Sequence, residues 1–355
     1  MTRVNSRKSI TYSAYVVQRI IGGKSAAASP LQRSAGSPPP PPAVVKLRVD
    51  EGSEGQRLDN FLIKLLKGVP KTHVYRVIRS GEVRVNNGRA SADTRLALGD
   101  EIRVPPVRVA DRSEEPPAPP REFPVVFEDE HLLVIDKPAG VAVHGGSGVS
   151  FGVIEQLRQA RPTAKFLELV HRLDKETSGL LMVAKKRSAL LALQEQFRQR
   201  ETGKTYAALV LGAWPASKKV IDVPLHKYLT AEGERRVRTV DEHNDDGRRS
   251  ITLVKVARSF ADFTLLDVTI KTGRTHQIRV HLLHEGHPIA GDEKYGDFAV
   301  NKALSRGELV PRHKFSRMFL HARRLRFEHP ATGEVIELEA PLPPECTQLI
   351  DALTS

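Results

Sequence analysis

The chain has 355 residues, a formal net charge of +13 and a pI near 9.9. Its length allows two domains, and its single cysteine, Cys346, excludes an internal disulfide framework and a cysteine-based zinc site. No run of eighteen apolar residues occurs, so we expect a cytoplasmic protein without membrane spans, and the basic excess favours a polyanionic partner, nucleic acid first.

The beginning of the chain, residues 1–44, is rich in Ser, Ala and Pro and has little to bury, so we expect a disordered tail. The first 49 residues carry eight Lys or Arg and no acidic residue, which leaves 47 basic against 42 acidic residues, or +5, for the rest. The tail superficially matches an organellar transit peptide. We prefer a solvated basic tail or a start codon placed too far upstream.

Residues 45–110 are predicted to form a small domain with two helices. Hydrophobic residues recur at helical spacing from Leu58 to Leu65. Thr72 is placed to cap a second helix, and Asn86-Asn87-Gly88 further along suits a hairpin turn.

Basic residues concentrate on that second helix and on the strand that follows it, with Glu82 the one acidic residue among them. They would face a phosphate backbone, although an ordinary solvated basic surface is an alternative. These residues are Lys71, Arg76, Arg79, Arg84 and Arg89.

This segment resembles the S4 RNA-binding domain. The matching features are Arg57-Leu58-Asp59 at the start of the first helix and the stretch from Ile78 to Asn86 around the turn. The resemblance implies binding of structured RNA by its shape and backbone rather than by reading bases.

Residues 111–121 are rich in proline and charge and predict a semi-rigid linker. The remainder, 122–355, is predicted to form one larger domain of strands interspersed with a few helices. Met318–Ala322 and Leu325–Pro330 are two of the strands expected near its end.

The densest polar stretch, from His171 to Gly179, stands directly before a short apolar run, Leu180 to Ala184, that is typical of a buried strand. A loop held by a rigid strand is a common position for functional side chains. Within it, Asp174 is flanked closely on both sides by cations, Arg172 and Lys175. The alternative is a structural carboxylate that accepts backbone N–H bonds.

Tyr206 lies next to Lys204 on a largely apolar predicted strand, where packing in the core is its alternative role. A second polar stretch runs from Lys271 to His281 and contains Arg279 on a predicted helix.

Four histidines in and after this second stretch raise the question of a metal. Their spacings of five, three and three residues match no zinc signature, so we expect no metal site and predict solvated or RNA-facing side chains. These are His276, His281, His284 and His287.

Taken together and in order, four stretches resemble the family of ribosomal large-subunit pseudouridine synthases, and the C-type branch most. The resemblance covers roughly residues 45 to 345 and rests mainly on the His-Arg-Leu-Asp motif. The stretches are Lys137-Pro138-Ala139-Gly140 with Val143 to Gly148, His171 to Gly179, Gly273 to Arg279, and Phe319 to Ala322.

The resemblance implies an α+β fold, in which a small S4-like domain precedes a catalytic domain with a mixed, mainly antiparallel central sheet. It implies an isomerase that converts specific uridines of 23S ribosomal RNA to pseudouridine without a cofactor. The partner would be large-subunit ribosomal RNA or an assembling large subunit, and we expect a monomer.

The resemblance also assigns roles to single residues. It maps the catalytic carboxylate onto Asp174 and a tyrosine acting as general base or acid at the ribose C2′ onto Tyr206. The basic partner of the carboxylate maps onto Arg279. Whether Asp174 attacks C1′, adds to the ring or assists a glycal-forming elimination stays open.

Because the target uracil must leave the helical stack, the motif places Arg172 to occupy the vacated space with its planar guanidinium. Leu320 would pack on the flipped base. The residues expected to bind RNA in the S4-like segment are Lys71, Arg76, Arg79 and Arg84.

Two other functions compete with this one. A non-catalytic RNA-binding or ribosome-assembly factor would have no need for Asp174, Tyr206 and Arg279 together. A retaining glycosidase needs two carboxylates flanking the bond, and here only Glu176 accompanies Asp174, two residues away.

Overall fold

The computed structural model describes residues 44–66, 68–107, 117–145, 151–310 and 313–354. The chain divides into two compact units, the first ending at Pro117 and the second beginning at Ala118. The predicted tail up to residue 43, the predicted linker up to residue 116 and residues 146–148 of the glycine-rich stretch lie outside the described residues. No helix in the described ranges is long and apolar enough to cross a membrane.

The first unit is a four-stranded antiparallel sheet with two helices packed against it. The strands are β1 (Val45–Arg48), β2 (Arg84–Val85), β3 (Gly88–Arg89) and β4 (Glu101–Val104), and the helices are α1 (Leu58–Leu65) and α2 (Lys71–Arg79). The sheet order is β1-β4-β2-β3. Leu58, Val77 and Ile102 lie in its buried core.

The hairpin turn between β2 and β3 is confirmed. Asn86 and Asn87 adopt φ angles of 50° and 66°, the left-handed conformation that a two-residue turn between twisted strands requires. The prediction that Thr72 caps the second helix is wrong, because α2 already begins at Lys71 behind the extended Pro70, with no side-chain cap.

The second unit is built on one ten-stranded sheet. Its strands are β5 (Val125–Glu128), β6 (Leu132–Lys137), β7 (Glu168–Leu169), β8 (Ser178–Ala184), β9 (Gly203–Leu211), β10 (Val220–Asp222), β13 (Ile251–Ser259), β14 (Phe263–Ile270), β15 (Leu320–Glu328) and β16 (Val335–Glu339). A separate hairpin joins β11 (Leu225–Leu229) to β12 (Arg235–Thr239). The helices are α3 (Val153–Ala160), α4 (Arg187–Gln199), α5 (Gln277–His284), α6 (Phe298–Arg306) and α7 (Pro344–Ala352).

The large sheet runs β10-β13-β14-β9-β15-β8-β6-β5, with β16 on β15 and β7 on β8. Among the described strands, β15 and β8 form the one parallel pair; the other pairings are antiparallel. The predicted fold class, α+β with a mixed and mainly antiparallel sheet, is therefore confirmed.

The two strands predicted at Met318–Ala322 and Leu325–Pro330 are one strand, β15. Its pairing with β9 shifts register between Ala322 and Arg324, so a bulge interrupts the alternation that the two separate strands were inferred from.

The buried strand predicted at Leu180–Ala184 is present as β8, which begins earlier, at Ser178, and is buried along its whole length. Gly179 adopts a φ of 108°, and a Cβ atom there would collide with the backbone of Ala322. Glycine therefore allows the close parallel approach of β8 and β15, which fixes the base of the loop that precedes β8.

Candidate active site

The loop between β7 and β8 carries Asp174 and is tied to the surrounding structure on both sides. His171 Nε2 accepts a hydrogen bond from the backbone N–H of Met182 at 3.1 Å. On the other side, the fully buried Lys137 donates from Nζ to the carbonyl of Lys175 at 3.1 Å and to two carbonyls of its own turn at 2.8 Å. The position of Asp174 is thus set by contacts beyond its own loop.

Burial determines the charge of His171. Removal from water lowers the pKa of this imidazole to about 3, so the ring is neutral. A neutral ring has one nitrogen free to accept a hydrogen bond, which is what the contact with Met182 requires.

The Asp174 side chain is about one-fifth exposed and faces two cations or potential cations. Its Oδ2 lies 3.4 Å from Nη1 of Arg279 and 3.8 Å from Nε2 of His276. These three residues come from the loop before β8 and from the start of α5, so the tertiary fold assembles them.

Arg279 forms its tightest pair with Asp292 rather than with Asp174. Its Nε and Nη2 donate to the two oxygens of Asp292, each at 2.7 Å. Burial opposes the charge of Arg279, yet the hydrogen bonds to Asp292 raise its pKa above the ordinary value. Burial alone would raise the pKa of Asp292, but bonding to Arg279 lowers it. Arg279 is thereby held charged, with Nη1 turned towards Asp174.

Tyr206 lies on β9 with only 7% of its surface exposed, and it lines the same cleft as Asp174. Burial raises the pKa of its hydroxyl, and the negative charge of Asp174 raises it further. The hydroxyl forms no hydrogen bond with another of the described residues. A protonated phenol therefore faces the cleft and is available to a substrate.

The cleft shared by Asp174 and Tyr206 has a volume of about 410 Å³, and Leu320 and Arg172 also line it. Leu320, at the start of β15, is buried, whereas Arg172 is exposed. A second cleft of about 660 Å³ is also lined by Asp174 and Arg172. The structure thus brings the catalytic-domain residues singled out by the sequence to one place.

A network that the sequence did not reveal lies behind Asp174. Tyr295 places its hydroxyl 2.7 Å from Nδ1 of His276, and its ring lies under the Arg279 guanidinium, 4.9 Å from the centroid. The N–H of Tyr295 also bonds Asp292 at 3.0 Å. The sequence predicts only a turn from Asp292 to Gly296, and no local signal connects Asp292 or Tyr295 to Arg279.

The prediction that the four histidines are solvated or RNA-facing is wrong for His281. It is fully buried, and its ring bonds Thr252 Oγ1 at 2.8 Å and the Val223 carbonyl at 3.0 Å. Helical periodicity did not show that this side of α5 packs on β13. Within the described ranges, no group of three or more His, Cys, Asp or Glu is arranged to hold a metal.

In the first unit, three of the basic residues expected to bind RNA lie exposed on α2, namely Lys71, Arg76 and Arg79. Arg84 is half-buried on β2, where it faces Arg103 of β4. Like charges directly opposite each other destabilise a sheet, so a polyanion on this surface would relieve the repulsion. Arg103 was not predicted as part of this surface, because its strand β4 comes well after β2 in the chain and only the sheet pairing brings the two together.

The row of cations continues across the sheet on both sides of this pair. Arg89 of β3 stands opposite Arg84, and Lys46 of β1 stands opposite Arg103. One of these charges is offset, since Lys46 pairs with Glu101 at 2.7 Å.

Comparison with known proteins agrees with this geometry. Residues 131–284 match the family model described as RNA pseudouridylate synthase, and residues 56–102 match the S4 domain. In the solved structures, a human RNA pseudouridylate synthase domain containing 4 protein is similar at 28% identity and a TM-score of 0.54, over 65% of this chain and 93% of that chain.

Sequence relatives are closer. The chain is 49% identical over 317 residues to the ribosomal large subunit pseudouridine synthase C of Pasteurella multocida, covering 88% of this chain and 94% of the relative. It is 50% identical over 305 residues to the protein of the same name from Escherichia coli K12, covering 84% and 92%. The chain therefore belongs to the RNA pseudouridylate synthase family, and within it to the ribosomal large-subunit pseudouridine synthases.

Proposed function

We propose that this chain isomerises specific uridines of 23S ribosomal RNA to pseudouridine, with Asp174 as the catalytic carboxylate. The observation that carries the proposal is the placement of Asp174 in a cleft, 3.4 Å from a buried arginine that Asp292 holds charged. A structural carboxylate has no need of a permanently charged guanidinium beside it or of a position that lines two clefts.

The reaction exchanges the N1–C1′ bond of uridine for a C5–C1′ bond on the same ribose. N1 gains a proton and C5 loses one, so no electrons enter or leave, and positioned acids, bases and charges can supply the catalysis. Asp174 would act at C1′, at the ring or in a glycal-forming elimination, and Arg279 would balance its charge throughout.

Tyr206 is proposed to exchange a proton at the ribose C2′. Because burial and Asp174 raise its pKa, the hydroxyl carries its proton at neutral pH and can act directly as an acid or hydrogen-bond donor. To act as a base it must pass its own proton on, and Asp174 is an acceptor in the same cleft.

Base flipping is proposed to use the two remaining residues of the cleft. The exposed Arg172 guanidinium can stack in the space that the uracil leaves, since it is planar and always charged. The buried Leu320 offers an apolar contact to the flipped ring.

RNA recognition is proposed to come mainly from the first unit. We propose that residues 45–110 act as an S4-like binding domain through the cations of α2 and β2, that 111–121 act as a linker and that 122–355 form the catalytic domain. We also infer a cytoplasmic monomer acting on ribosomal RNA or an assembling subunit. Light scattering at 39.3 kDa would support the monomer, and a mass near twice that value would refute it.

The experiment that tests the function is an assay with purified protein and two in vitro transcripts, 23S and 16S ribosomal RNA. We expect site-limited pseudouridine in the 23S transcript and none in the 16S transcript. Binding of the 23S transcript without pseudouridine, in transcripts and in immature subunits alike, would favour a non-catalytic assembly factor instead.

A further inference from the structure

The hairpin β11–β12 is separate from the main sheet of the second unit and has an exposed basic surface. Lys227, Arg235 and Arg238 are exposed on it, the first two on the face of Val237 and the third on the opposite face. In the described residues none of the three forms an ion pair. Arg235 also borders the 660 Å³ cleft that reaches Asp174. A phosphate backbone entering that cleft would meet this surface.

The inner side of the hairpin is anchored to the catalytic network through Tyr295. Tyr295 packs in a small buried cluster with Leu225 and Val237 of the hairpin and Val280 of α5. Its hydroxyl accepts the backbone N–H of Val237 at 3.0 Å. The neighbouring Lys294 donates to the Arg235 carbonyl at 2.7 Å.

The hydrogen-bond directions define one continuous chain. The Tyr295 oxygen accepts from Val237 and can donate its own proton to Nδ1 of His276, 2.7 Å away. The proton of His276 then lies on Nε2, the nitrogen that faces the Asp174 carboxylate at 3.8 Å. The opposite tautomer would point a lone pair at a carboxylate, so electrostatics favour this one.

The ring of Tyr295 makes a second connection. The ring centroid lies 4.9 Å from the guanidinium carbon of Arg279. Arg279 also contacts Asp174. One side chain therefore contacts the hairpin through its hydroxyl and both neighbours of the catalytic carboxylate through its hydroxyl and its ring.

We propose that Tyr295 is a positioning residue that couples the docking of RNA phosphates on the hairpin to the placement of Asp174 and Arg279. The inference rests on the proposed function. It adds that binding of the RNA segment that flanks the target uridine is linked to catalysis. Catalysis is sensitive to such placement, because a displacement of about 1 Å can cost a hundredfold in rate.

The test is a double-mutant cycle, which isolates the coupling between two sites. Tyr295→Phe keeps the ring under Arg279 and removes only the hydroxyl. R235Q/R238Q removes two of the three exposed hairpin charges and leaves Lys227. With 23S transcript, we expect Tyr295→Phe to lower kcat about tenfold and to change KM less than about twofold. The hairpin variant should raise KM and lower kcat in the wild-type background, but only raise KM in the Tyr295→Phe background.

Tyr228→Phe is the matched control, because Tyr228 lies on the same hairpin. Its hydroxyl forms no hydrogen bond within the described residues. This variant should leave kcat unchanged. Wild-type kcat in Tyr295→Phe, or kcat losses that simply multiply in the double variant, would overturn the coupling.

A second readout does not depend on turnover. Amide hydrogen exchange should slow in both 225–239 and 170–178 when 23S transcript is added to the wild type. In Tyr295→Phe, only the hairpin should remain protected. Equal protection of the 170–178 loop in both proteins would overturn the proposal, whereas a wild type that binds but makes no pseudouridine would refute the proposed function alone.

Discussion

Helix α2 of the first unit and the cleft of the second unit hold their arginines in opposite ways. Arg76 and Arg79 of α2 are exposed and form no ion pair among the described residues. In the cleft, the Arg279 side chain is 7% exposed and is bound through two nitrogens to the buried Asp292. The charges on α2 are free to meet any polyanion, whereas the charge of Arg279 is fixed in one geometry. Affinity and catalysis should therefore fail separately.

Apart from replacement of Asp174 itself, the largest effect that would separate affinity from catalysis is expected from Tyr206→Phe. This variant keeps the ring of β9 in place and removes the hydroxyl that faces the cleft, so proton transfer at C2′ is lost. We expect the single-turnover rate on 23S transcript to fall by about 10²–10⁴-fold, with RNA affinity within about twofold. A rate near that of the wild type would remove Tyr206 from the mechanism.

Asp292→Asn tests whether the buried ion pair of Arg279 and Asp292 also stabilises the fold. Because it leaves the buried Arg279 charge unpaired, we expect a loss of about 3–5 kcal/mol in unfolding free energy. Urea denaturation followed by fluorescence of Trp214, the single tryptophan, measures it.

The matched control for this variant is Asp222→Asn. Asp222 pairs with Arg249 at 2.9 Å, but the two side chains are 40% and 70% exposed, so the loss should stay below about 1 kcal/mol. Equal losses in the two variants would mean that burial of the Arg279 pair has no energetic consequence.

The same contrast explains what the sequence could predict. Exposed cations on α2 depend on local helical spacing, so their position followed from the residues themselves. The convergence of Asp174, Tyr206 and Arg279 followed only from family resemblance, since they are far apart in the chain. The strand β8 was predictable because a short, unbroken apolar run has few alternatives.

What could not be predicted depends on long-range packing. Asp292 and Tyr295 lie in a turn whose role appears only when Arg279 is placed beside it. His281 was expected at the surface because periodicity alone does not show which side of α5 meets β13. Thr72 was expected to be a cap because threonine is a preferred N-cap residue, but the helix begins one residue earlier, at Lys71 behind Pro70.

Removing free charge in the first unit should weaken binding without affecting the chemical step. We expect R76Q/R79Q to reduce the slope of log affinity against log salt by roughly 1.4–1.8 and to leave the single-turnover rate at saturation unchanged. Filter binding across salt concentrations measures the slope. Arg95→Gln, which removes an exposed charge outside α2, is the control, and an equal loss per charge would mean that α2 is not a preferred surface.

The smallest expected difference between the two units is in how their stability depends on pH. Burial lowers the pKa of His171 to about 3 and of His321 to about 4, while the unfolded value is about 6.5. The unfolded chain therefore binds more protons than the folded chain below pH 6.5. The contribution of the two neutral histidines to the free energy of unfolding is complete above pH 6.5 and is lost as the pH falls towards 4. The loss is up to about 1.4 kcal/mol per pH unit for each histidine.

In the first unit, the hydrogen bond from Arg57 lowers the pKa of Asp59, so its contribution is lost only as the pH falls below about 3.9. Trp214 fluorescence follows the second unit, and amide exchange in α1 follows the first. We expect the urea midpoint measured by Trp214 fluorescence to decrease as the pH is lowered from 6.5 to 4, while the amides of α1 stay protected from exchange. A constant midpoint would contradict the neutral, buried histidines.

The central claim, that Asp174 is the catalytic carboxylate, is tested most directly by comparing two neighbouring carboxylates. The rate of pseudouridine formation on 23S transcript is measured for the wild type, Asp174→Asn and Glu176→Gln. We predict that Asp174→Asn loses at least about a thousandfold in rate while binding RNA within about threefold of the wild type, and that Glu176→Gln stays within about threefold in rate. Wild-type turnover by Asp174→Asn would contradict the mechanism.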